Sequence, residues 1–483
     1  MNETRRVFLG QAALGLAAAG CRGLARRGEE ARRRPNLLVI MTDQQQAAML
    51  SCSGNRFVKT PHMDSLAATG TRFERAYCSD PVCVPSRFGL LSGVMPSRIG
   101  MEHNDHQRNP VPEAVLRSGM GAVLRAAGYA TTYGGKTHLP GAKGHTNNVA
   151  DYGFEEVLTR DERDGLAQAC SAFLRRKHDK PFLLVASFIN PHDICYMAID
   201  DHARSQGRAV RETVERRCLA EVLKLPEGVT REAFLRDTCP PLPPNFAIME
   251  GEPEGVEKTD WRPFRPYARQ RWTEGTWRLH RWAYARLTER VDAEIGRVLQ
   301  ALRDAGREED TVVVFTSDHG DMDAAHRLEH KSMLYEEACR IPLIVSWKGV
   351  TKPGAVDREH LVSNGLDLIP TLCDFAGVAP PPELKGRSVR PLAEGRQPQG
   401  WRSTLVVENE HSRLILWDRL KYGVYDVGER RELLVDLAQD PGEMRNRAAD
   451  PACRPQVEAG RRLLVEWYKE HGERLNDAYV VNG

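Results

Sequence analysis

The 483-residue sequence has almost no excess of either charge sign. Its 68 basic and 66 acidic side chains leave a formal net charge of +2. A protein built to hold a polyanion carries a basic face or stripe, so this balance excludes nucleic acid as a partner. Part of even that excess sits in the Arg-rich first 34 residues. The remainder is mildly acidic, and any anion binding must be local. Zinc-finger spacing is missing too: none of the eleven cysteines stands in a Cys-x-x-C pair, and no Cys/His cluster has zinc-ligand spacing. Apart from Cys21 and Cys83, the set is Cys52, Cys78, Cys170, Cys195, Cys218, Cys239, Cys339, Cys373 and Cys453. An odd number argues against a complete disulfide framework and for thiols buried as small apolar fillers. Beyond the N-terminus no apolar run is long enough to cross a bilayer, so no transmembrane span is expected. Hydrophobic content of 41% and charged content of 28% are ordinary for a soluble globular chain.

The stretch TRRVFLGQAALGLAAAGC reads as an address rather than as structure. Arg5 and Arg6 precede a small-residue apolar stretch, residues 7–20, of secretory rather than membrane-spanning length. The T-R-R-x-F-L order resembles a twin-arginine signal. Residues 1–34 are therefore expected to be an export leader, and the mature protein to work in the periplasm or at the cell surface. Ala17, Ala18 and Ala19 offer a cleavage site, while Cys21 stands where a lipoprotein is acylated. Both processing routes stay open.

Five apolar runs rich in β-branched residues follow: NLLVIMTD, ATTYGGKTHL, PFLLVASFINPHD, TVVVFTSDHGD and IPLIVSWKG. Continuous apolar runs of this length suit strands covered on both faces. Helical patterns lie between them. Leu287, Val291, Ile295, Val298 and Leu302 recur on one face of residues 277–305, and Gly306 stops that helix. EAVLRSGMGAVLRAAG predicts a second, closed by Gly128. Alternating strands and helices predict an α/β fold, a large and mostly parallel sheet sandwiched by helices. In such sheets ligands sit at the carboxyl ends of the strands. All the runs but the last deliver polar residues there, so Asp43, Lys136, His192 and Asp318 are expected on one rim. Residues 195–272, rich in Pro, Arg and Trp, read as an elaboration over that rim. The prolines at 380–382 read as a linker. It divides a catalytic domain, residues 35–378, from a smaller C-terminal α+β domain, residues 383–483, with strands in STLVVENE, SRLILW and KYGVYDV and a helix at 455–471.

Asp43, Gln44, Asp318 and His319 offer mainly oxygen donors, which suit one hard divalent cation such as calcium better than zinc. Lys136, Lys331 and Arg87 add three cations around a bound anion. His138 and His192 are candidate proton carriers near neutral pH. Any one of these alone reads as an ordinary strand cap or structural histidine; the ensemble carries the inference.

Within SDPVCVPSRFGLLSG, residues 79–93, the order Cys83-x-Pro85-Ser86-Arg87 resembles the sulfatase signature. Other family landmarks follow in order: NLLVIMTDQQ, GGKTHL, SDHGD, HKSMLYEEACRIPLIV and the closing LLVDLAQDPGEMRNRA. The resemblance spans roughly residues 35–450 and implies an alkaline-phosphatase-like fold. It implies that a maturation enzyme oxidises Cys83 to formylglycine. One hydroxyl of the aldehyde hydrate then attacks sulfur, and the other expels sulfate. By the same resemblance Asp43, Gln44, Asp318, His319 and the modified Cys83 ligate calcium, although many relatives have a second Asp where Gln44 stands. Arg87 would hold the hydrate, and Lys136 and Lys331 would clamp sulfate. His138 would take a proton as the hemiacetal collapses, and His192 would protonate the leaving alcohol. The substrate implied is a sulfated carbohydrate, and Asn104, Asp105 and His106 in MEHNDHQ, with the 261–282 insertion, are candidate sugar subsites or simply loop packing. Two rivals remain: a phosphomonoester or phosphonate hydrolase on the same scaffold, and a non-catalytic glycan-binding relative.

Overall fold

In the computed structural model the described residues are 34–144, 148–160, 163–259, 262–473 and 475–481. The expectations placed on Arg5, Arg6, Cys21 and the rest of the leader lie outside them. Asn36–Gly483 forms one compact unit.

The strands, in chain order, are β1 Asn36–Asp43, β2 Thr71–Phe73, β3 Ala76–Tyr77, β4 Ala130–Gly135, β5 Glu156–Arg160, β6 Phe182–Pro191, β7 Thr311–Ser317, β8 Leu343–Ser346, β9 Ala355–Asp357, β10 Val362–Ser363, β11 Thr404–Asn409, β12 Ser412–Trp417, β13 Leu420–Tyr425 and β14 Glu432–Asp436. Eight of them form the large sheet, in the order β5-β4-β6-β1-β7-β8-β2-β9. The five strands from β5 to β7 pair in parallel. β8 runs antiparallel to both its neighbours. That explains why IPLIVSWKG brings no polar residue to the rim: its carboxyl end points to the opposite edge.

Both faces of this sheet are covered, as the unbroken apolar runs require. Leu37, Val39, Met41, Val312 and Val314 enter one core cluster with Phe88, Leu124 and Leu372. The alternate residues Leu38, Ile40, Val313 and Phe315 enter the other with Met63, Phe173 and Ile295. The helices Cys83–Ser92, Met120–Ala126 and Asn364–Ala376 therefore lie on one side. Pro61–Thr69, Leu166–Arg175 and Glu274–Asp304 lie on the other. Each fully buried Leu, Ile, Val or Phe contributes about 1.5–3 kcal/mol, which rigidly fixes the strand ends that carry the site.

The four C-terminal strands form an antiparallel sheet, β11 to β14 in sequence order. β14 was not anticipated, because ELLVD is short and flanked by charge. One face packs on the helix Arg454–Glu470 through Val406, Ile415 and Tyr422 against Leu464 and Trp467. The other packs through Leu405, Val407 and Leu414 against Met333, Leu334 and Tyr335, just beyond Lys331. Residues 195–272 contain short helices, among them Cys195–Ser205, Val214–Val222, Arg231–Asp237 and Phe264–Arg271. Ten cysteines, all those of the described residues, are free, as the odd count predicted.

Candidate active site

Four strand ends meet where the sequence placed them. Asp43 closes β1, Lys136 follows β4, His192 follows β6, and Asp318 follows β7. The turn into Lys136 needs glycine: Gly135 has φ of 91°, and a Cβ there would lie 2.1 Å from the Ser187 carbonyl oxygen. Cys83 is the first residue of the helix Cys83–Ser92, so its side chain sits where backbone N–H groups point outward. Asn104 Oδ1 accepts the Val84 N–H at 3.1 Å, capping that helix from the neighbouring loop.

Around Cys83 the distances are short. Its Sγ lies 2.8 Å from Lys331 Nζ, 3.2 Å from His319 Nε2 and 3.9 Å from Asp43 Oδ1. His319 Nδ1 faces the Gly320 carbonyl at 2.9 Å, and donating there leaves Nε2 with a lone pair directed into the site. Donor atoms of Asp43, Cys83, Asp318 and His319 all lie within 4.8 Å of one another, and all four residues are buried. Crowding two carboxylates and a thiol without water is costly unless cations compensate. Burial, then the Asp43 charge, pushes the Asp318 carboxyl up to about 6. Against its own burial, Asp43 is held well below the carboxylate range by Lys136, His192, Arg87 and Lys331. Burial and Asp43 oppose ionisation of Cys83, yet Lys331, Lys136 and His319 hold its thiol well below the ordinary range. Such a donor set fits a divalent cation, which would relieve the repulsion between Asp43 and Asp318.

Arg87 is spent on these carboxylates. Its Nε donates to Asp318 Oδ2 and its Nη2 to Asp43 Oδ2, each at 2.8 Å. Its Nη1 donates to Ser187 Oγ at 2.9 Å and to the Lys136 carbonyl at 3.0 Å. The guanidinium fork thus ties the ends of β1, β4, β6 and β7 together. Lys136 Nζ donates to Asp43 Oδ2 at 2.6 Å.

Gln44 adopts φ of 68°, in the left-handed region, and His138, His330 and Ser332 around the rim do likewise. Non-glycine residues of this kind cluster where a site imposes its geometry on the backbone. The Gln44 carboxamide bridges two unlike partners. Its Nε2 donates to Asp321 Oδ2 at 2.6 Å, while its Oε1 accepts from Lys331 Nζ at 2.9 Å and from Cys195 Sγ at 3.0 Å. An Asp at this position has no hydrogen to donate to Asp321. The amide is the group that satisfies both sides.

His192 is brought among Cys83, Lys136 and Asp43, close enough for each to act on its imidazole, and its buried Nδ1 has no partner among the described residues. Burial, then Lys136, pushes its imidazole down to about 4. His138 lies two residues beyond Lys136; its buried Nδ1 has no partner among the described residues. Of the candidate sugar contacts, Asn104 reaches the nucleophile helix, His106 Nδ1 accepts the Glu102 N–H at 3.1 Å, and Asp105 is exposed. Trp261 lies outside the described residues. The sequence reading missed Ser187, Cys195, Tyr284, Asp321 and His330. Tyr284 holds the Gln44 turn through its hydroxyl, 2.6 Å from the Gln44 carbonyl, and Cys195 Sγ lies 3.0 Å from His330 Nδ1. The proximity of Asp321 to SDHG and of His330 to Lys331 was the available signal.

Residues 35–378 match the Sulfatase family, and residues 324–467 match the C-terminal region of N-sulphoglucosamine sulphohydrolase. The chain is 29% identical to a Δ4,5-hexuronate-2-O-sulfatase of Bacteroides thetaiotaomicron, with 94% of this chain and 92% of that protein aligned. The structure of a 2-O GAG sulfatase superposes with a TM-score of 0.77 at 26% identity, covering 91% of this chain and 93% of the other. A phosphonate monoester hydrolase of Agrobacterium radiobacter shares the fold, with a TM-score of 0.68 at 21% identity over 91% and 96% of the two chains. With Cys83, the two buried lysines and the carboxylate cluster in one rim, the chain belongs to the sulfatase family and is a sulfuric ester hydrolase.

Proposed function

We propose that this protein hydrolyses sulfate monoesters on acidic, glycosaminoglycan-type carbohydrates, and that Cys83 is the residue from which its nucleophile is made. The observation that carries this reading is the placement of Cys83 at a helix start, in contact with Lys331 and within one donor cluster with Asp43, Asp318 and His319. The named relatives, a hexuronate 2-O-sulfatase and a GAG sulfatase, support the substrate class.

Matured to formylglycine by a dedicated enzyme, residue 83 would supply a hydrate hydroxyl as nucleophile. Asp43, Asp318, His319 and Gln44 would hold one divalent cation, calcium by its preference for oxygen donors, which supplies positive potential at that oxygen. The remaining work falls to the chain. Lys331 and Lys136 present ammonium groups to sulfate oxygens, while Arg87 pairs with Asp318 and shares Asp43 with Lys136. His192 gives a proton to the leaving alcohol oxygen. Burial, then Lys136 and Lys331, depresses its basicity, and a bound sulfate offsets the part that comes from the lysines. His138 accepts the proton released when the aldehyde is regenerated. Asn104, Asp105 and His106 line the approach for the sugar. Residues 35–378 carry the chemistry and residues 383–483 brace the Lys331 segment. Export through the twin-arginine leader, with either cleavage after the alanines or acylation at Cys21, would put the enzyme outside the cytoplasm, where such glycans are met.

Parallel assays on 4-nitrophenyl sulfate and 4-nitrophenyl phosphate test the reaction class. Faster turnover of the phosphate would overturn the sulfatase reading in favour of the phosphoryl or phosphonate hydrolases that share the fold. No turnover of either, with Cys83 matured, would favour a glycan-binding protein.

A further inference from the structure

A cavity of about 610 Å³ opens beside the helix Cys195–Ser205, within the elaboration over the rim. Ligand sites commonly measure about 300–1,000 Å³, so this one has room for a sugar unit. Its charge is unusual for a chain that is mildly acidic beyond its leader. Five arginines face three acids in the lining. The acids are already committed. Asp200 takes a two-pronged ion pair from Arg216, with contacts of 2.7 and 2.8 Å. Asp201 accepts the Trp272 indole N–H at 2.8 Å, and Glu212 lies 3.6 Å from Arg217. The side chains of Arg204, Arg211 and Arg231, all exposed, have no hydrogen bond or ion pair among the described residues. Three like charges gathered at one cavity repel one another, and an anion with planar oxygens matches their donors.

The cavity also has a direction. Tyr196, in its wall, carries Arg216 over its ring at 4.9 Å, and its centroid is 6.5 Å from that of His192. The wall therefore begins beside the group that faces the leaving alcohol. Trp272 and Leu279 supply an apolar floor for a sugar face.

We propose that this cavity binds an acidic sugar on the leaving-group side of the substrate, its carboxylate or sulfate held by Arg204, Arg211 and Arg231. The proposal rests on the reading of the chain as a sulfatase of acidic glycans, and it explains what the arginines are for.

The test compares the full chain with a variant carrying Arg204→Glu, Arg211→Glu and Arg231→Glu, exposed positions where reversal leaves the core intact. Both are made in a Cys83→Ala background for titration calorimetry, and with Cys83 retained for kinetics. The probes are a heparin tetrasaccharide, its chemically desulfated counterpart that keeps the uronates, and neutral maltotetraose. Expected is a loss of about tenfold or more in affinity for an acidic probe, equivalent to at least one lost ion pair of about 1.4 kcal/mol. Loss for the desulfated probe assigns the site to carboxylate; loss for the sulfated probe alone assigns it to sulfate. The kcat/KM for 4-nitrophenyl sulfate, too small to reach the cavity, should stay within about twofold. Unchanged affinity in the variant, maltotetraose binding as tightly as the acidic probes, or no acidic probe binding at all overturns the proposal. Charge-dependent binding in a protein that cleaves no sulfate ester keeps the cavity and sinks the sulfatase reading instead.

Discussion

Lys331 Nζ stands 2.8 Å from Cys83 Sγ and 2.9 Å from Gln44 Oε1, so a single buried ammonium joins the start of the helix Cys83–Ser92 to the end of β1. An ammonium without water is stable only beside acceptors or anions. Cys83, Cys195 and Asp43 sustain it, in that order of effect, against its own burial. The same charge that makes the thiol acidic is the one proposed to receive a sulfate oxygen, and the predictions below follow from that shared geometry.

Maturation should be visible at residue 83. Mass analysis of the peptide containing SDPVCVPSR is expected to show sulfur replaced by oxygen with loss of two hydrogens. Cys83→Ala should abolish sulfate ester cleavage without unfolding the protein, since the small side chain only vacates a contact. Full activity in a preparation whose residue 83 is wholly thiol would refute the assignment.

His192→Ala should separate substrates by leaving group. A positioned acid contributes about 10²–10⁴-fold when the alcohol leaves poorly. Cleavage of a sugar sulfate should therefore collapse by that factor, while 4-nitrophenyl sulfate, whose phenolate needs little protonation, should lose far less. Equal losses on both would place His192 in binding rather than proton transfer.

Arg87→Leu should destabilise the fold by about 3–5 kcal/mol, because Asp43 and Asp318 lose the partner that makes their burial tolerable. Thermal unfolding in the presence of a chelator reads the loss. Calcium should restore more stability to the variant than to the parent, since the cation takes over part of that compensation. A variant as stable as the parent in chelator would show that the fork is dispensable.

Gln44→Glu replaces the hydrogen given to Asp321 with a second carboxylate. Burial already pushes Asp321 up to about 7, so the new contact is expected to cost about 1–3 kcal/mol without cation. Calcium should then stabilise this variant more steeply than the parent. Adding Asp321→Asn, which supplies a donor on the other side, should recover most of the loss. If chelator melts parent and variant alike, the amide bridge is not what selects glutamine here.

His280, one helical turn before Tyr284, offers a pH test. It is buried against Trp272 and Trp277, its Nδ1 has no partner among the described residues, and burial pushes its imidazole down to about 3. Unfolded, it titrates near 6.5. The unfolded state therefore binds the extra proton between these values, and this residue's contribution is complete above about 6.5 and falls by about 1.4 kcal/mol per pH unit below it. Urea midpoints from pH 7 to 4.5 should drop less steeply in His280→Phe than in the parent. Parallel slopes would sink the idea.

The central strands were legible because burial on both faces leaves an unbroken apolar run, and the rim followed from where those runs end. β2, β3, β9 and β10 were not, since two or three residues carry no period. The helix expected over residues 113–128 is broken into Glu113–Arg117 and Met120–Ala126. The break falls at Ser118 and Gly119, where the Gly119 backbone turns extended with φ of −65° and ψ of 154°. Arg87 shows the limit of reading a site by motif. The signature marks the residue, but not that its donors go to the carboxylates of two other strands. Cys195 and Asp321 stayed hidden because a lone thiol or acid has no spacing to announce it, and only the fold brings them to Gln44.

Cys83 is 1% exposed, walled in by strand ends more than two hundred residues apart in sequence. An oxidising enzyme that must grip the surrounding peptide has no access once those ends have met. The conversion proposed for Cys83 would therefore have a deadline, set by the closing of β7 against β1. A folded protein that missed it would be competent in shape and permanently silent in chemistry, which makes the timing of folding itself a determinant of how much active enzyme a cell obtains.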